Sequence, residues 1–274
     1  MELGLAGRVV VVVGAGRGIG AAVARAFLAE SAVVAALDRD PGMPETARRW
    51  PGALGITVDA TCLADVKAAA EQAENALGPC DHVVFAVGAG SGKYGFPFWN
   101  LEPGDWPRVL EINLIAAVNV AHSFAPRLIQ AAARDVAGPS SSSPSLTFFS
   151  SVAGQMGSQT DPPYSAAKAA LINFNQCAAK DLAPYGVRSN VICPGMVQTD
   201  LNRGVYEAWA RQQPEAARST YEAWAAEKIQ KVVPLNRWQK PEDSAALAVF
   251  LASNQAREIT GQTMNVDGGF VMHW

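Results

Sequence analysis

The sequence predicts an α/β fold: one domain built on a doubly wound parallel sheet. Short apolar runs at 8–13, 32–37, 53–58, 81–87, 145–149, 187–193 and 263–266 alternate with helical stretches near 18–30, 63–77, 107–133, 162–183 and 241–252. Strands that alternate with helices form a parallel sheet covered on both faces. The chain has 274 residues and no linker near its middle, so a single core spanning 1–274 accommodates it. Finally, Gly14, Asp38, Asp59, Gly88, Ser151 and Pro194 all fall at the carboxyl ends of the runs, where ligands of such sheets bind.

The first run, Arg8 followed by five valines, is β-branched and short and predicts a buried strand. It ends in Gly14-Ala15-Gly16-Arg17-Gly18-Ile19-Gly20, and the alanine-rich stretch to Glu30 predicts a helix. Glycines at a strand-to-helix turn let the backbone approach a pyrophosphate, whose charge is met by the amides of the helix N-terminus. The second run, Ala32 to Leu37, ends in Asp38, about twenty residues after the glycines, where a carboxylate can accept hydrogen bonds from an adenosine ribose.

Further along, Tyr164-Ser165-Ala166-Ala167-Lys168 lies in a predicted helix. At that spacing the phenol and the ammonium share a face, which predicts that Lys168 lowers the Tyr164 pKa. Bringing a tyrosine from about 10 to about 7 needs roughly 4 kcal/mol of differential stabilisation. Such a group serves as a general acid/base on an alcohol or a carbonyl. Between the Pro194-Gly195 strand end and the last helix lies the segment 200–233, which carries Tyr206, Trp209, Tyr221 and Trp224. The period of Tyr221, Ala225, Ile229 and Val232 predicts two short helices broken at Pro214. The serine-rich stretch Ala137 to Ser145 reads as a solvent loop away from the chemistry.

Composition narrows the function classes. Acidic residues number 25 against 22 basic, which offers no cationic field for nucleic acid or an anionic membrane. Cys62, Cys80, Cys177 and Cys193 show no metal-ligand spacing and the three histidines are scattered, so neither disulfides nor a metal site is expected. No apolar run reads as long enough to span a bilayer, and the five valines are too short for a secretory signal. A cytoplasmic protein with reduced thiols is the expectation.

Strand, glycine turn, helix, acidic strand end and a downstream Tyr-x-x-x-Lys together resemble the short-chain dehydrogenase/reductase family in its single-domain form. Asp59 after Ile56-Thr-Val58, Asn113 in Glu111-Ile-Asn-Leu114, Ser150-Ser151, Pro194-Gly195 with Thr199, and Gly261 to Gly269 extend the likeness from about Leu5 to Gly269. The resemblance implies a Rossmann-type sheet, a nicotinamide dinucleotide as cofactor, a small-molecule substrate and a homotetramer. It assigns catalysis to Asn113, Ser151, Tyr164 and Lys168. Tyr164 exchanges the substrate proton, Ser151 bonds the same oxygen, Lys168 also holds the nicotinamide ribose, and Asn113 anchors a water that relays the proton. Cofactor contacts fall to Gly14, Arg17, Gly18, Ile19, Gly20, Asp38, Arg39, Asp59, Ala60, Gly88, Tyr164, Lys168, Pro194, Gly195, Val197 and Thr199. Thr199 reads equally as a bond to the nicotinamide carboxamide or as the N-cap of the first lid helix. The segment 200–233 corresponds to the substrate lid, and its aromatic side chains imply a largely apolar pocket.

Two positions depart from the family pattern: Val13 stands where threonine is usual, and Phe85-Ala86-Val87-Gly88 where Asn-Asn-Ala-Gly is usual. Apolar groups at both ends of that polar tie predict a repacked cofactor floor rather than a dead site. Asp38 favours NAD over NADP, because its carboxylate repels a 2′-phosphate, and the expected reaction moves a hydride between the nicotinamide and a secondary alcohol or ketone. Two alternatives stay open. One is an NADPH-dependent reductase of a carrier- or coenzyme-bound ketone, with Arg17 or Arg39 meeting the phosphate; the other is a non-catalytic dinucleotide-binding regulator.

Overall fold

In the computed structural model, which describes residues 2–134, 143–157 and 160–272, seven strands form one parallel sheet in the order β3-β2-β1-β4-β5-β6-β7. The strands are β1 (Val9–Val13), β2 (Val33–Asp38), β3 (Ala53–Thr57), β4 (His82–Phe85), β5 (Ser145–Phe149), β6 (Arg188–Pro194) and β7 (Thr263–Val266). Nine α-helices cover it: α1 (Gly18–Ala29), α2 (Met43–Ala47), α3 (Leu63–Leu77), α4 (Trp106–Leu110), α5 (Ala116–Arg134), α6 (Pro162–Leu182), α7 (Asp200–Ala210), α8 (Tyr221–Val232) and α9 (Pro241–Ala252), counted among the described residues. Most of the predicted serine-rich loop lies outside the described residues.

The five valines of β1 are all buried, because successive side chains of a central strand point into opposite layers. Val11 and Val13 join one core with Phe85, Phe148 and residues of α3, α5 and α6. Val10 and Val12 join the other with Val23 and Phe27 of α1 and Ala248 and Val249 of α9. Phe148 is wedged edge-on between Phe85 and Phe174, with ring centroids 6.3 and 5.8 Å away. Each such buried aromatic contributes about 2–3 kcal/mol of apolar burial.

β1 pairs with β2 on one side and β4 on the other, with Val13 opposite both Leu37 and Phe85. The sheet therefore winds outward in both directions from the β1–β4 pair, and the crevice opens at the carboxyl ends of these two strands.

Two expectations are corrected here. The predicted continuous helix over 107–133 is interrupted: α4 runs into a π-helical turn at Glu111–Ile115 before α5 begins. And the helical stretch Pro103–Arg134, 32 residues, is long and apolar enough to cross a membrane by length and composition. In the fold its apolar side packs in the core, where Ala117, Val120, Phe124 and Leu128 are buried.

Candidate active site

A cavity of about 570 Å³ lies over the carboxyl ends of the strands, a volume typical of sites that bind a cofactor or a drug-sized ligand. Gly14, Arg17, Gly18, Ile19, Asp38, Arg39, Asp59, Ala60, Gly88, Tyr164, Lys168 and Thr199 line it, as the sequence predicts. Gly20, Pro194, Gly195 and Val197 do not reach its wall, and neither do Asn113 and Ser151.

Each of these has a local reason. A Cβ on Gly20 would sit 2.0 Å from the Gly14 carbonyl oxygen, so Gly20 permits the seam between α1 and the glycine turn. Gly195 packs against Asp267 and Gln239, and its amide donates to the Val266 carbonyl, 3.0 Å. Val197 is buried and bridges to Gln239. These residues shape the wall from behind.

At the glycine turn, Gly14 has φ +88° and lies so close to Ala86 and Val87 that a Cβ would meet their backbone at 3.0 Å. The N-terminus of the twelve-residue α1 carries no side-chain cap and no acidic residue in its first turn. Its amides are therefore available to an anion. Asp38 Oδ2 accepts from the Gly16 amide, 2.8 Å, and Oδ1 from the Asp40 amide, 3.0 Å. This places the carboxylate one residue from the turn, with acceptor capacity left for a ribose. A dinucleotide fits these residues.

Val13 and Ala86 stand where the polar tie of the family pattern is replaced by apolar groups. Their side chains belong to opposite faces: Val13 packs with Phe85, and Ala86 with the core of Val12 and Val84. The junction is held instead by the backbone, with the Ala86 amide donating to the Val13 carbonyl, 2.8 Å.

At the other end, α6 presents Tyr164 and Lys168 on one face. Lys168 is 2 % exposed, donates to the carbonyls of Phe149, 2.9 Å, and Val87, 3.1 Å, and lies 5.7 Å from the centre of the Tyr164 ring. Burial pushes its pKa down to about 7, against a smaller upward pull from Cys193. Burial pushes Tyr164 up to about 12; the Ser151 hydroxyl works in the opposite sense, while Asp161 and Cys193 add to the rise. Burial outweighs any lowering of the phenol, and Lys168 is not among the groups that set its shift. Desolvation disfavours both charges, and the ammonium spends its donors on backbone carbonyls.

Ser151 follows β5 and caps the short turn Val152–Gly154, accepting from the Ala153 amide at 3.1 Å. Asn113 is fully buried in the π-turn. It donates to Ala89, 2.7 Å, and Val109, 2.8 Å, and accepts from the Ala89 amide at 3.2 Å. Its side chain therefore clamps the strand β4 exit directly. Gly88 sits between Asn113 and Lys168, each 3.6 Å from where its Cβ would be. Thr199 is the N-cap of α7, accepting from the Asn202 amide at 3.3 Å, which realises the second of its two readings.

The segment 200–233 forms two helices, α7 and α8, parted at Pro214 by a short turn at Glu215–Ala217. Its aromatics do not line the cavity. Tyr206, Trp209, Tyr221 and Trp224 pack on one another at centroid distances of 5.5 to 6.2 Å, together with Trp238, and form a separate small core. From α7 the cavity wall is instead Leu201, Gly204, Val205 and Ala208, with Glu207 and Arg211. The rings from which an apolar pocket is expected are thus not on its wall: rings at helical spacing bury against each other first.

Sequence reasoning missed Asp161, Lys93, Tyr94 and Arg108, all on the cavity. Asp161, three residues before Tyr164 at a Pro-Pro helix start, carried an N-cap signal that could have found it.

Comparison with known proteins agrees with this geometry. Residues 14–271 match the family profile described as "Enoyl-(Acyl carrier protein) reductase". The chain is 34 % identical over 271 residues to acetoacetyl-CoA reductase of Synechocystis sp., covering 98 % of each chain. It is also 34 % identical over 271 residues to 2-(S)-hydroxypropyl-CoM dehydrogenase 3 of Xanthobacter autotrophicus, covering 97 % of each. The solved structure of L-sorbose reductase from Gluconobacter frateurii, complexed with NADPH and L-sorbose, superposes with a TM-score of 0.86 at 25 % identity, over 100 % of both chains. With a sheet wound from β1 and β4, a glycine turn under an open helix end and Tyr164 above Lys168 on one cavity, the chain belongs to the short-chain dehydrogenase/reductase family of oxidoreductases.

Proposed function

We propose that the chain is an NAD(H)-dependent oxidoreductase that interconverts a secondary alcohol and its ketone. The observation that carries this reading is a single cavity with Tyr164 and Lys168 at one end and the Asp38 carboxylate, bonded to the Gly16 amide, at the other. The nicotinamide, when bound, accepts or donates the hydride. The chain supplies the rest. Gly14, Gly16 and the open end of α1 hold the pyrophosphate, and Asp38 takes the ribose hydroxyls. Tyr164 Oη gives the proton to the forming alkoxide or takes it from the alcohol, with the Ser151 hydroxyl beside it. Asn113 fixes Ala89 and so the wall at the strand β4 exit.

Burial leaves the Tyr164 phenol protonated at neutral pH, the form required for carbonyl reduction. Alcohol oxidation needs the phenolate, so its rate should rise into the alkaline range. The same reading carries a small-molecule substrate, assembly as a homotetramer and a cytoplasmic location; sedimentation checks the assembly. Cofactor turnover measured with NAD and NADP over a panel of secondary alcohols and ketones tests the activity. Absence of turnover with every member, in a protein that binds NAD, would favour the dinucleotide-binding regulator.

A second reading, an NADPH-dependent reductase of a carrier- or coenzyme-bound ketone, is favoured by Arg17 and Arg39 on the cavity wall. Against it stands Asp38, whose negative charge would face a 2′-phosphate. The ratio of kcat/KM for the two dinucleotides separates them.

A further inference from the structure

Most charged side chains on the cavity wall already have partners. Toward the cofactor end, Arg17 pairs with Asp200 at 3.5 Å, Asp38 accepts from the Gly16 and Asp40 amides, and Asp59 accepts from Thr61 and feels the charge of Arg39. Beside Tyr164, the charge of Asp161 is met by the Ser91 amide, 2.7 Å, and by the Tyr164 amide, which it caps. Lys93 gives its ammonium to Asp105 at 2.8 Å. Arg108, Arg211 and Glu207 are left. Among the described residues none of these three forms an ion pair, and the Arg108 guanidinium makes no hydrogen bond to the protein.

The two arginines meet at the loop that leaves β4. Arg211, at the end of α7, donates to the Gly92 carbonyl at 3.3 Å, and its neighbour Gln212 donates to the Tyr94 carbonyl at 3.4 Å. Between those two carbonyls in sequence stands Lys93, whose partner Asp105 immediately precedes α4, and Arg108 is the third residue of that helix. Through Ser91 the same loop is bonded to Asp161, three residues before Tyr164. It therefore ties the helix that carries the phenol to the two elements that carry the arginines, and all three side chains line one cavity. Both arginines are exposed residues, which places them at its mouth. Glu207 lies one turn before Arg211, so two cations face one carboxylate there. A guanidinium presents a planar fork of donors that matches a carboxylate or a phosphate.

We propose that Arg108 and Arg211 form an anion subsite, and that the substrate is a secondary alcohol or ketone that also carries a carboxylate or phosphate group. The proposal rests on the oxidoreductase reading and names its substrate class. The reacting carbon lies at Tyr164, the apolar body of the substrate against Leu201, Val205 and Ala208, and the anion at the mouth.

The experiment uses the full chain and ketones in matched pairs: acetoacetate with its methyl ester, and dihydroxyacetone phosphate with dihydroxyacetone. The parent should favour the charged member in kcat/KM, and the pair that responds more strongly tells carboxylate from phosphate. Arg108→Gln and Arg211→Gln should each lower the ratio of charged to neutral member by about tenfold. Arg211→Lys should keep most of that ratio, and Glu207→Gln should raise it. A parent that favours the neutral members, or a ratio that neither glutamine variant moves, overturns the proposal; a merely structural loss would lower both members alike. Calorimetry of succinate and of inorganic phosphate on the NAD-saturated chain needs no turnover. The parent should bind at least one of them, and the doubly substituted Arg108→Gln/Arg211→Gln chain should bind it at least about tenfold more weakly. Equal binding by the two proteins, or none by the parent, overturns the subsite. A parent that binds these anions yet turns over no alcohol or ketone defeats the oxidoreductase reading, and the calorimetry decides the subsite separately.

Discussion

Tyr164 and Lys168 are four residues apart in sequence, yet their side chains do different work from the beginning. Lys168 is a buried tether, tied to Phe149 and Val87, whereas Tyr164 reaches the cavity with its phenol. Replacing Tyr164 with phenylalanine should retain NAD binding and lower kcat by about 10²- to 10⁴-fold, because the proton route is removed while most dinucleotide contacts lie elsewhere. Kinetics with NAD titration checks both halves. Activity within tenfold of the parent would remove Tyr164 from its role. At the other end of the cavity, Asp38→Ala should narrow the preference for NAD over NADP, since the like charge goes while Arg17 and Arg39 remain. The measurement is kcat/KM for each dinucleotide, and a parent that already prefers NADP contradicts the assignment. Both residues were legible in the sequence, because each stands in a fixed relation to a strand or helix end. Asp161 was not, since its meaning depends on Ser91, seventy residues away, which only the fold brings beside it.

At the level of elements, all seven strands and the five long helices could be read from apolar runs and turn residues, with ends that moved by a few residues. Three features could not. The π-turn at Glu111–Ile115 leaves no mark on a 3.6-residue period, because one wide turn merely shifts the phase. The five-residue α2 is too short to establish a period at all. In the lid, periodicity showed which residues are buried but not against what. The aromatic side chains that suggested a substrate pocket turned out to be the lid's own core. This division predicts two kinds of lid variant. Leu201→Ala or Val205→Ala, on the cavity wall, should raise KM for substrate with little change in folding. Trp224→Ala, in the aromatic cluster, should destabilise the lid by about 3–5 kcal/mol. Hydrogen exchange in residues 200–233 would show the second as lost protection there, and unchanged exchange would mean that the cluster does not hold the lid.

For the molecule as a whole, the end of the sheet opposite the cavity has its own electrostatics. His82 is fully buried beside Ser145, with Nδ1 and Oγ 2.9 Å apart, and burial pushes its pKa down to about 3. The sign follows from linkage. The folded protein keeps this imidazole neutral while the unfolded chain protonates it below about 6.5, so stability should fall as pH drops from that value toward 3. Denaturant unfolding across that range, compared with a His82→Gln variant, should show the parent losing more stability by up to one proton's slope. Equal slopes would place the acid sensitivity elsewhere. The lid's separate aromatic core bears on heat as well. The sheet is held by two large clusters that share every central strand, while the lid's cluster is confined to α7, α8 and the residues beside them. Units joined in this way need not melt together. On warming, the wall made by Leu201, Val205 and Ala208 should come loose while the sheet is still intact. Activity should therefore disappear several degrees below the calorimetric transition and return on cooling, until the sheet itself gives way.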